Sequence, residues 1–189
     1  MNVFKWGVWE ARHMSQTITV RTGGPADAAT VAALHAESWR TAYADFVPAD
    51  ALGDGLAEER AVLWDIRLTA DYGPAEMQPT LLIAEEADGT AAGFAYLVPE
   101  PDGRVLLDNL HVRPGRTGAG IGRRLLRAAL DRVPGPLRLE VLRANTRAVA
   151  FYEREGGTRT AERLCDFPGG HQLPEYEYTW PAPISGRTP

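Results

Sequence analysis

A glycine-rich turn between a strand and a helix is the part of this chain best suited to chemistry. The strand covers residues 105–112, and the helix is expected to begin near Gly122. Glycines at the start of a helix leave backbone N–H groups uncovered. Those groups and the positive end of the helix dipole attract phosphate. The sequence therefore predicts a ligand that carries a phosphate or a pyrophosphate.

The spacing of the glycines excludes two common phosphate-binding turns. A P-loop requires Lys and then Ser or Thr after its last glycine, whereas Gly122 is followed by two arginines. A dinucleotide fingerprint requires a third glycine or alanine at a position that holds Arg123 or Leu125 here, depending on whether the count begins at Gly118 or Gly120. No adjoining βαβ unit supports the dinucleotide class either.

The strand ends in Val112-Arg113-Pro114, and the turn continues into Gly118-Ala119-Gly120-Ile121-Gly122 before the helix. This pattern resembles the acyl-CoA signature of the GNAT superfamily of N-acyltransferases. The family form begins with Gln or Arg and continues x-x-Gly-x-Gly or Ala. Here Thr117 stands at the place of Gln or Arg, and Arg116 lies one place earlier. The resemblance implies that this segment holds the diphosphate of acetyl-CoA, with contacts from Arg116, Thr117, Gly118, Ala119, Gly120, Ile121, Gly122 and Arg123.

The order of predicted elements is also similar to the GNAT fold, over roughly residues 17–180. Turn signals such as Asp88-Gly89 separate three strands into an antiparallel meander. The resemblance implies an α/β fold with a mixed central sheet of about seven strands, splayed between strands 4 and 5, and helices on both faces. The predicted strands are 17–21, 80–85, 91–98, 104–112, 137–142, 159–164 and 176–180, and the predicted helices are 26–39, 39–44, 56–68, 122–133 and 145–155.

In the family, the pantetheine arm of acyl-CoA enters the gap between the splayed strands. The backbone near Leu110, His111 and Val112 is therefore expected to contact that arm, and its N–H groups can polarise a thioester carbonyl. His111 is interpreted as filling space beside the arm, although a role as a base stays open.

The segment from Asn145 to Glu153 resembles a later motif of the same family, which ends in Phe-Tyr-Glu. By that resemblance Asn145 contacts the pantetheine arm, and Tyr152 is the general acid that protonates the leaving thiolate. A phenol with an ordinary pKa of about 10 carries its proton at pH 7, as this role requires. The alternative is that Asn145 only caps a helix and Tyr152 only fills the core.

The general base is less sharply defined by the sequence. Asp108 is the candidate, because it lies on the strand that lines the predicted site. Adjacent strand residues point to opposite faces, so only one of Asp108 and Asn109 is expected to face the substrate. Some family members carry a Glu earlier on this strand, where Leu106 stands here. Glu37, Glu140 and a water relay remain alternatives.

An aromatic segment from Glu37 to Tyr43 resembles a pattern common in bacterial GNAT proteins. In that fold the segment borders the acceptor site, so Trp39 and Tyr43 are predicted to shape an amine pocket. Helix packing is the competing interpretation for Trp39.

Composition limits the other possibilities. A chain of 189 residues supports one core, predicted as one domain over residues 15–182 with an N-terminal arm at 1–14 and a frayed tail at 183–189. The net charge of −5 argues against nucleic-acid binding, and no apolar run reaches the length of a membrane span. The single cysteine, Cys165, indicates a cytoplasmic protein, and the four scattered histidines suggest no metal site. A homodimer through the closing strands is conceivable.

These observations predict an acetyl-CoA-dependent N-acetyltransferase in which a primary amine attacks the thioester directly, without an acyl-enzyme. A non-catalytic acyl-CoA-binding module on the same fold is the alternative, and nucleotide binding is a third. The acceptor stays open among antibiotics, polyamines, amino acids and protein N-termini.

Overall fold

The computed structural model describes residues 17–44, 52–53, 55–167 and 171–182. The predicted arm at 1–14 and tail at 183–189 lie outside the described residues. Among the described residues the strands and helices are β1 (Thr19–Thr22), α1 (Ala28–Ala42), α2 (Leu56–Thr69), β2 (Thr80–Glu85), β3 (Ala91–Pro99), β4 (Val105–Val112), α3 (Ile121–Leu130), β5 (Leu137–Leu142), α4 (Thr146–Arg154), β6 (Thr158–Phe167) and β7 (His171–Trp180).

The strands form one seven-stranded mixed sheet in the order β1-β2-β3-β4-β5-β7-β6. Short turns connect β2, β3 and β4, so these strands pair antiparallel. The helix α3 separates β4 from β5, and a strand that follows a helical crossover returns parallel. This architecture confirms the predicted fold class.

Helices cover both faces of the sheet, and the side chains of β2 show why. Leu81 and Ile83 pack with α1 and α2 on one face. Leu82 and Ala84 pack with α3 on the other. A strand buried on both faces needs apolar residues at consecutive positions, as β2 has.

The pairing between β4 and β5 is confined to one end of the two strands. Val105 pairs with Leu137, and Leu106 pairs with Arg138. No further pair joins the two strands in the described part of the chain, so they diverge toward the end of β4 that carries the glycine-rich turn. The predicted splay between strands 4 and 5 is confirmed.

Two details of the predicted secondary structure are wrong. The residues 26–44 do not form two helices, because α1 runs unbroken through Trp39 to Ala42. The helical spacing of Ala57, Ala61, Trp64 and Leu68 predicts one apolar face of α2, yet Ala57 and Ala61 are exposed. The face of α2 that is buried instead contains Leu56, Arg60 and Trp64.

Candidate active site

The glycine-rich turn adopts backbone angles that favour glycine at three of its positions. Gly115 has φ of 81°, Gly118 has φ of 90° and Gly120 has φ of 79°, and Gly120 is the residue that immediately precedes α3. The first helical hydrogen bond runs from the Arg124 N–H to the Gly120 carbonyl at 3.0 Å. The N–H groups of residues 121–123 therefore have no partner within the helix and point toward its N-terminal end.

The arginines of this turn already have acidic partners. Arg116 donates a hydrogen bond of 2.6 Å to Glu86, in the turn after β2. Arg123 lies 3.3 Å from Glu155, at the end of α4. These ion pairs fix the two side chains beside the loop, so the backbone amides are the groups of the turn best placed to hold an anion.

The edge of β4 that faces β5 is open over most of the strand. Beyond Leu106, its backbone groups have no strand partner among the described residues. Tyr152 belongs to α4, the helix that follows β5, and Tyr43 follows the last residue of α1. Burial raises the pKa of Tyr152, and Tyr43 adds a smaller contribution to that rise.

Tyr152 is buried, with only 8% of its surface exposed. Its ring packs against Phe151, Tyr178 and Trp180. Burial is the main cause that raises the pKa of its phenol above the ordinary value, with a smaller effect from Tyr43. A phenol in this environment keeps its proton at neutral pH.

Asn145 caps the helix that carries Tyr152. Its Oδ1 accepts a hydrogen bond of 3.1 Å from the Ala148 N–H. Helix capping is the alternative role that the sequence predicted for Asn145. The cap uses the side-chain oxygen and leaves the side-chain NH₂ group available.

Asp108 is the extra residue of a β-bulge. Tyr96 pairs with Asn109 and Leu97 pairs with Leu107, which leaves Asp108 without a partner on β3. A bulge interrupts the alternation of side chains. The carboxylate of Asp108 therefore accepts a hydrogen bond from the Asn109 side chain, where strict alternation predicted opposite faces.

The same carboxylate is held by α2. Arg67 Nη1 donates a hydrogen bond of 2.6 Å to Asp108 Oδ2. The Asn109 amide contacts that same oxygen, so Oδ1 is the oxygen of Asp108 that remains to accept another proton.

A cluster of two histidines and a serine lies between α1 and β4. His111 was predicted to lie beside the pantetheine arm, whereas His35 and Ser38 were not identified from the sequence. Ser38 Oγ and His111 Nδ1 share a hydrogen bond of 2.8 Å. The rings of His35 and His111 are 4.7 Å apart. His35 was detectable in principle, because it continues the apolar face of α1 that begins at Val31.

The histidines of this cluster are neutral. Burial, and then the neighbouring His111, lower the pKa of His35 to about 2. Burial, and then the positive charge of Arg60, lower the pKa of His111 to about 4. His35 Nδ1 accepts a hydrogen bond of 2.9 Å from the Trp64 indole, which is only a donor, so the proton of this ring lies on Nε2. That buried Nε2 has no hydrogen-bond partner.

The predicted acceptor residues lie together and include a neighbour that sequence reasoning missed. The Trp39 and Tyr43 rings are 4.8 Å apart. The Arg60 guanidinium lies over the Trp39 ring, 4.1 Å from its centroid. The sequence did contain a signal for this neighbour. Leu56, Arg60 and Trp64 are spaced four residues apart, and a helix places residues with that spacing on one face.

The described residues do not support a cysteine nucleophile, a metal site or a membrane-spanning helix. Burial, followed by the nearby Glu175 carboxylate, raises the pKa of the Cys165 thiol to about 11, so it is not an activated nucleophile. The part of the chain that the structure describes has no group of three metal-ligating side chains. None of its helices is long and apolar enough to cross a membrane.

The sequence matches one family model, described as the acetyltransferase (GNAT) family, over residues 37–157, more than half of the chain. The chain belongs to the GNAT acetyltransferase family. That range contains α1 from Glu37 onward, the glycine-rich turn, the splayed strands and α4. The resemblance inferred from the turn and the element order is confirmed.

Individual GNAT relatives match parts of the chain. A mycothiol acetyltransferase of Thermomonospora curvata is 43% identical over 101 residues, which are 53% of this chain and 34% of the relative. A streptothricin acetyltransferase of Streptomyces lavendulae is 40% identical over 79 residues, 39% of this chain and 42% of the relative. The chain thus matches less than half the length of either curated relative.

A solved structure matches over nearly the whole fold. The PaiA N-acetyltransferase of Thermoplasma acidophilum, crystallised in complex with coenzyme A, superposes with a TM-score of 0.65 at 22% identity. The match covers 87% of this chain and 99% of that one. At this identity the comparison establishes the fold.

Proposed function

We propose that this GNAT protein transfers an acetyl group from acetyl-CoA to a primary amine by direct attack within a ternary complex. The observation that carries the proposal is the arrangement around the β4–β5 gap. Free backbone amides at the start of α3 follow the unpaired end of β4, and the helix after β5 carries the buried, protonated phenol of Tyr152. The one cysteine thiol is not activated, because its pKa is raised, which favours direct attack over a thioester intermediate on Cys165.

Acetyl-CoA fits the residues present. The N–H groups of residues 121–123 would hold the diphosphate, together with the backbone of Thr117, Gly118, Ala119 and Gly120. Arg116 and Arg123 would flank it. The unpaired edge of β4 near Leu110, His111 and Val112 would pair with the pantetheine arm, and the Asn145 amide would contact the same arm. Acetyl-CoA supplies the acetyl group as a thioester, and the amine nitrogen replaces the sulfur on the acetyl carbon.

Each proton in this transfer has a proposed donor or acceptor. Backbone N–H groups of β4 stabilise the negative charge that develops on the carbonyl oxygen. Tyr152 gives its proton to the sulfur as the carbon–sulfur bond breaks. Asp108, through the Oδ1 that Arg67 leaves open, takes the proton that the amine loses. Trp39 and Tyr43 form a wall of the acceptor pocket.

The test is a thiol-release assay with acetyl-CoA and a panel of primary amines. Wild-type protein is expected to release CoA faster with at least one amine than by hydrolysis. Tyr152→Phe is expected to lower kcat by about 100-fold, the usual contribution of a general acid. It should not change the thermal stabilisation that CoA gives, because the diphosphate site is intact.

A second tyrosine provides the control. Tyr176→Phe removes a half-buried hydroxyl that makes no hydrogen bond among the described residues, and its kcat should stay close to that of wild type. Binding of CoA without turnover on any amine would favour the non-catalytic module. Stabilisation by ATP or NAD but not by CoA would favour nucleotide binding.

A further inference from the structure

The helix α2 buries an arginine whose guanidinium has no carboxylate within 3.5 Å among the described residues. Arg60 is 7% exposed. Its Nε has no hydrogen-bond partner in the part of the chain that the structure describes. Glu59 is the one carboxylate in ion-pair contact with it among the described residues, at 3.8 Å, and that side chain is 66% exposed. Arginines are rarely this buried unless they are paired, because removing a charge from water is costly.

Another arginine on the same helix shows what a paired guanidinium looks like here. Arg67 Nη1 lies 2.6 Å from Asp108 Oδ2 and is therefore neutralised within the protein. Arg60 lies about two turns earlier on α2 and has no such contact. Of these two arginines of α2, Arg60 is therefore the one whose positive charge lacks a close carboxylate among the described residues.

The position of Arg60 ties its charge to the proposed acceptor pocket. Its guanidinium stacks on Trp39 at 4.1 Å. Burial lowers the pKa of the His111 ring, and the charge of Arg60 lowers it further. Burial raises the pKa of Tyr43, and the charge of Arg60 opposes that rise. Arg60 thus belongs to the pocket in which Trp39 and Tyr43 were predicted to meet the amine.

The phosphates of CoA do not account for this charge. The glycine-rich turn leads into α3, which packs on the face of the sheet opposite α2. The anion for Arg60 must come from the α1–α2 side, where the acceptor is proposed to bind. The planar guanidinium presents N–H donors as a fork that matches a carboxylate, and a polyammonium chain would be repelled by it.

We propose that Arg60 binds a carboxylate of the acceptor, so that the substrate is an amine that also carries a carboxylate, such as an amino acid or a peptide end. The inference rests on the proposed acetyl transfer and names its substrate class. The stacking of Arg60 on Trp39 holds the fork in place before the acceptor arrives. The amine of the same molecule then lies toward Tyr43 and the gap.

Matched acceptors test the proposal directly. A panel of amino acids and the corresponding amino-acid amides differ only in the carboxylate. Wild-type kcat/KM is expected to be about 100-fold higher for the acid than for its amide, the size of effect seen when a buried charge loses its partner. Arg60→Met keeps an unbranched side chain beside Trp39 and removes the charge. It should lower kcat/KM about 100-fold for the acids and leave the amides within about threefold of wild type.

Two controls separate this result from trivial causes. Arg40→Met removes the same charge from an exposed site on α1 and should leave the preference for acids unchanged. Thermal stabilisation by CoA, measured on each variant, reports folding and the diphosphate site independently of any acceptor. Should Arg60→Met not fold, inhibition of the wild type by N-acetylated amino acids, compared with their amides, measures the same carboxylate preference.

The possible results distinguish the two levels of the proposal. If amides react as well as acids, or if Arg60→Met slows both classes equally, the carboxylate assignment is wrong while acetyl transfer stands. Turnover of polyamines in preference to amino acids has the same meaning. If CoA binds and no amine of any class is acetylated, the proposed function fails, and the assignment of Arg60 fails with it.

Discussion

Acidification from pH 7 to pH 5 should destabilise this protein through the two histidines between α1 and β4. Both are held neutral in the folded state, with the pKa of His35 lowered to about 2 and that of His111 to about 4. In the unfolded chain each has a pKa near 6.5. Between pH 7 and pH 5 the unfolded state therefore binds protons that the folded state does not. The free energy of unfolding falls as the pH falls.

The size of the effect follows from those pKa values. Binding of one proton to the unfolded state alone changes the free energy of unfolding by about 1.4 kcal/mol per pH unit once the pH is well below 6.5. Integrated from pH 7 to pH 5, each histidine accounts for about 2 kcal/mol. The two together account for about 4 kcal/mol, a large share of the stability of a typical domain.

A substitution isolates the contribution of His35. Asn at this position offers an oxygen that can accept the Trp64 indole hydrogen bond, and it does not titrate. His35→Asn is expected to be less stable than wild type at pH 7, because the ring contacts with Trp64 and Phe94 are lost. Its loss of stability between pH 7 and pH 5 should nevertheless be smaller by about 2 kcal/mol.

Urea unfolding at pH 7, 6, 5.5 and 5 measures the two slopes. The carboxylates and the other histidines are common to both proteins, so the difference between the slopes belongs to His35. Equal slopes in His35→Asn and wild type would show that the pKa of His35 is the same in the folded and unfolded states, and would refute the lowered pKa assigned above.

Two further predictions concern the framework around the site. Gly93→Ala should lower the free energy of unfolding by about 2 kcal/mol, because a Cβ there would lie 2.7 Å from a backbone carbonyl of β4. Gly24→Ala is the control: its Cβ meets open space, so the same urea titration should show almost no change in stability. Tyr178→Phe should cost about 1 kcal/mol in thermal or urea unfolding, because it removes a hydrogen bond of 2.8 Å to Glu153. Tyr176→Phe is its control, and an equal loss in both tyrosine variants would contradict the assigned hydrogen bond.

Local signals in the sequence were enough to predict the element order. Turn residues such as Asp88-Gly89 end one strand and begin the next through their own backbone preferences, whatever the rest of the fold does. The glycines of the phosphate-binding turn act in the same way, since φ values of 90° at Gly118 and 79° at Gly120 suit glycine wherever they occur. For that reason the antiparallel meander and the glycine-rich turn could be predicted from local sequence. The family resemblance then predicted the whole fold. The break wrongly predicted in α1 shows the limit, because Trp39 to Ala42 continue a helix that packing supports.

Contacts between distant segments were decided by the tertiary structure alone. The bulge at Asp108 depends on how β4 pairs with β3, and strict alternation along β4 could not reveal it. Arg60 appears as a surface residue in the sequence, yet packing of α2 against α1 buries it over Trp39. The open edge of β4 exists because, within the residues that the structure describes, β4 and β5 pair only through Val105 and Leu106. The sequence by itself determined the elements and the phosphate-binding turn, because those depend on neighbouring residues. Burial, charge and pKa in the acceptor pocket depend on which segments pack together, so only the folded chain decided them.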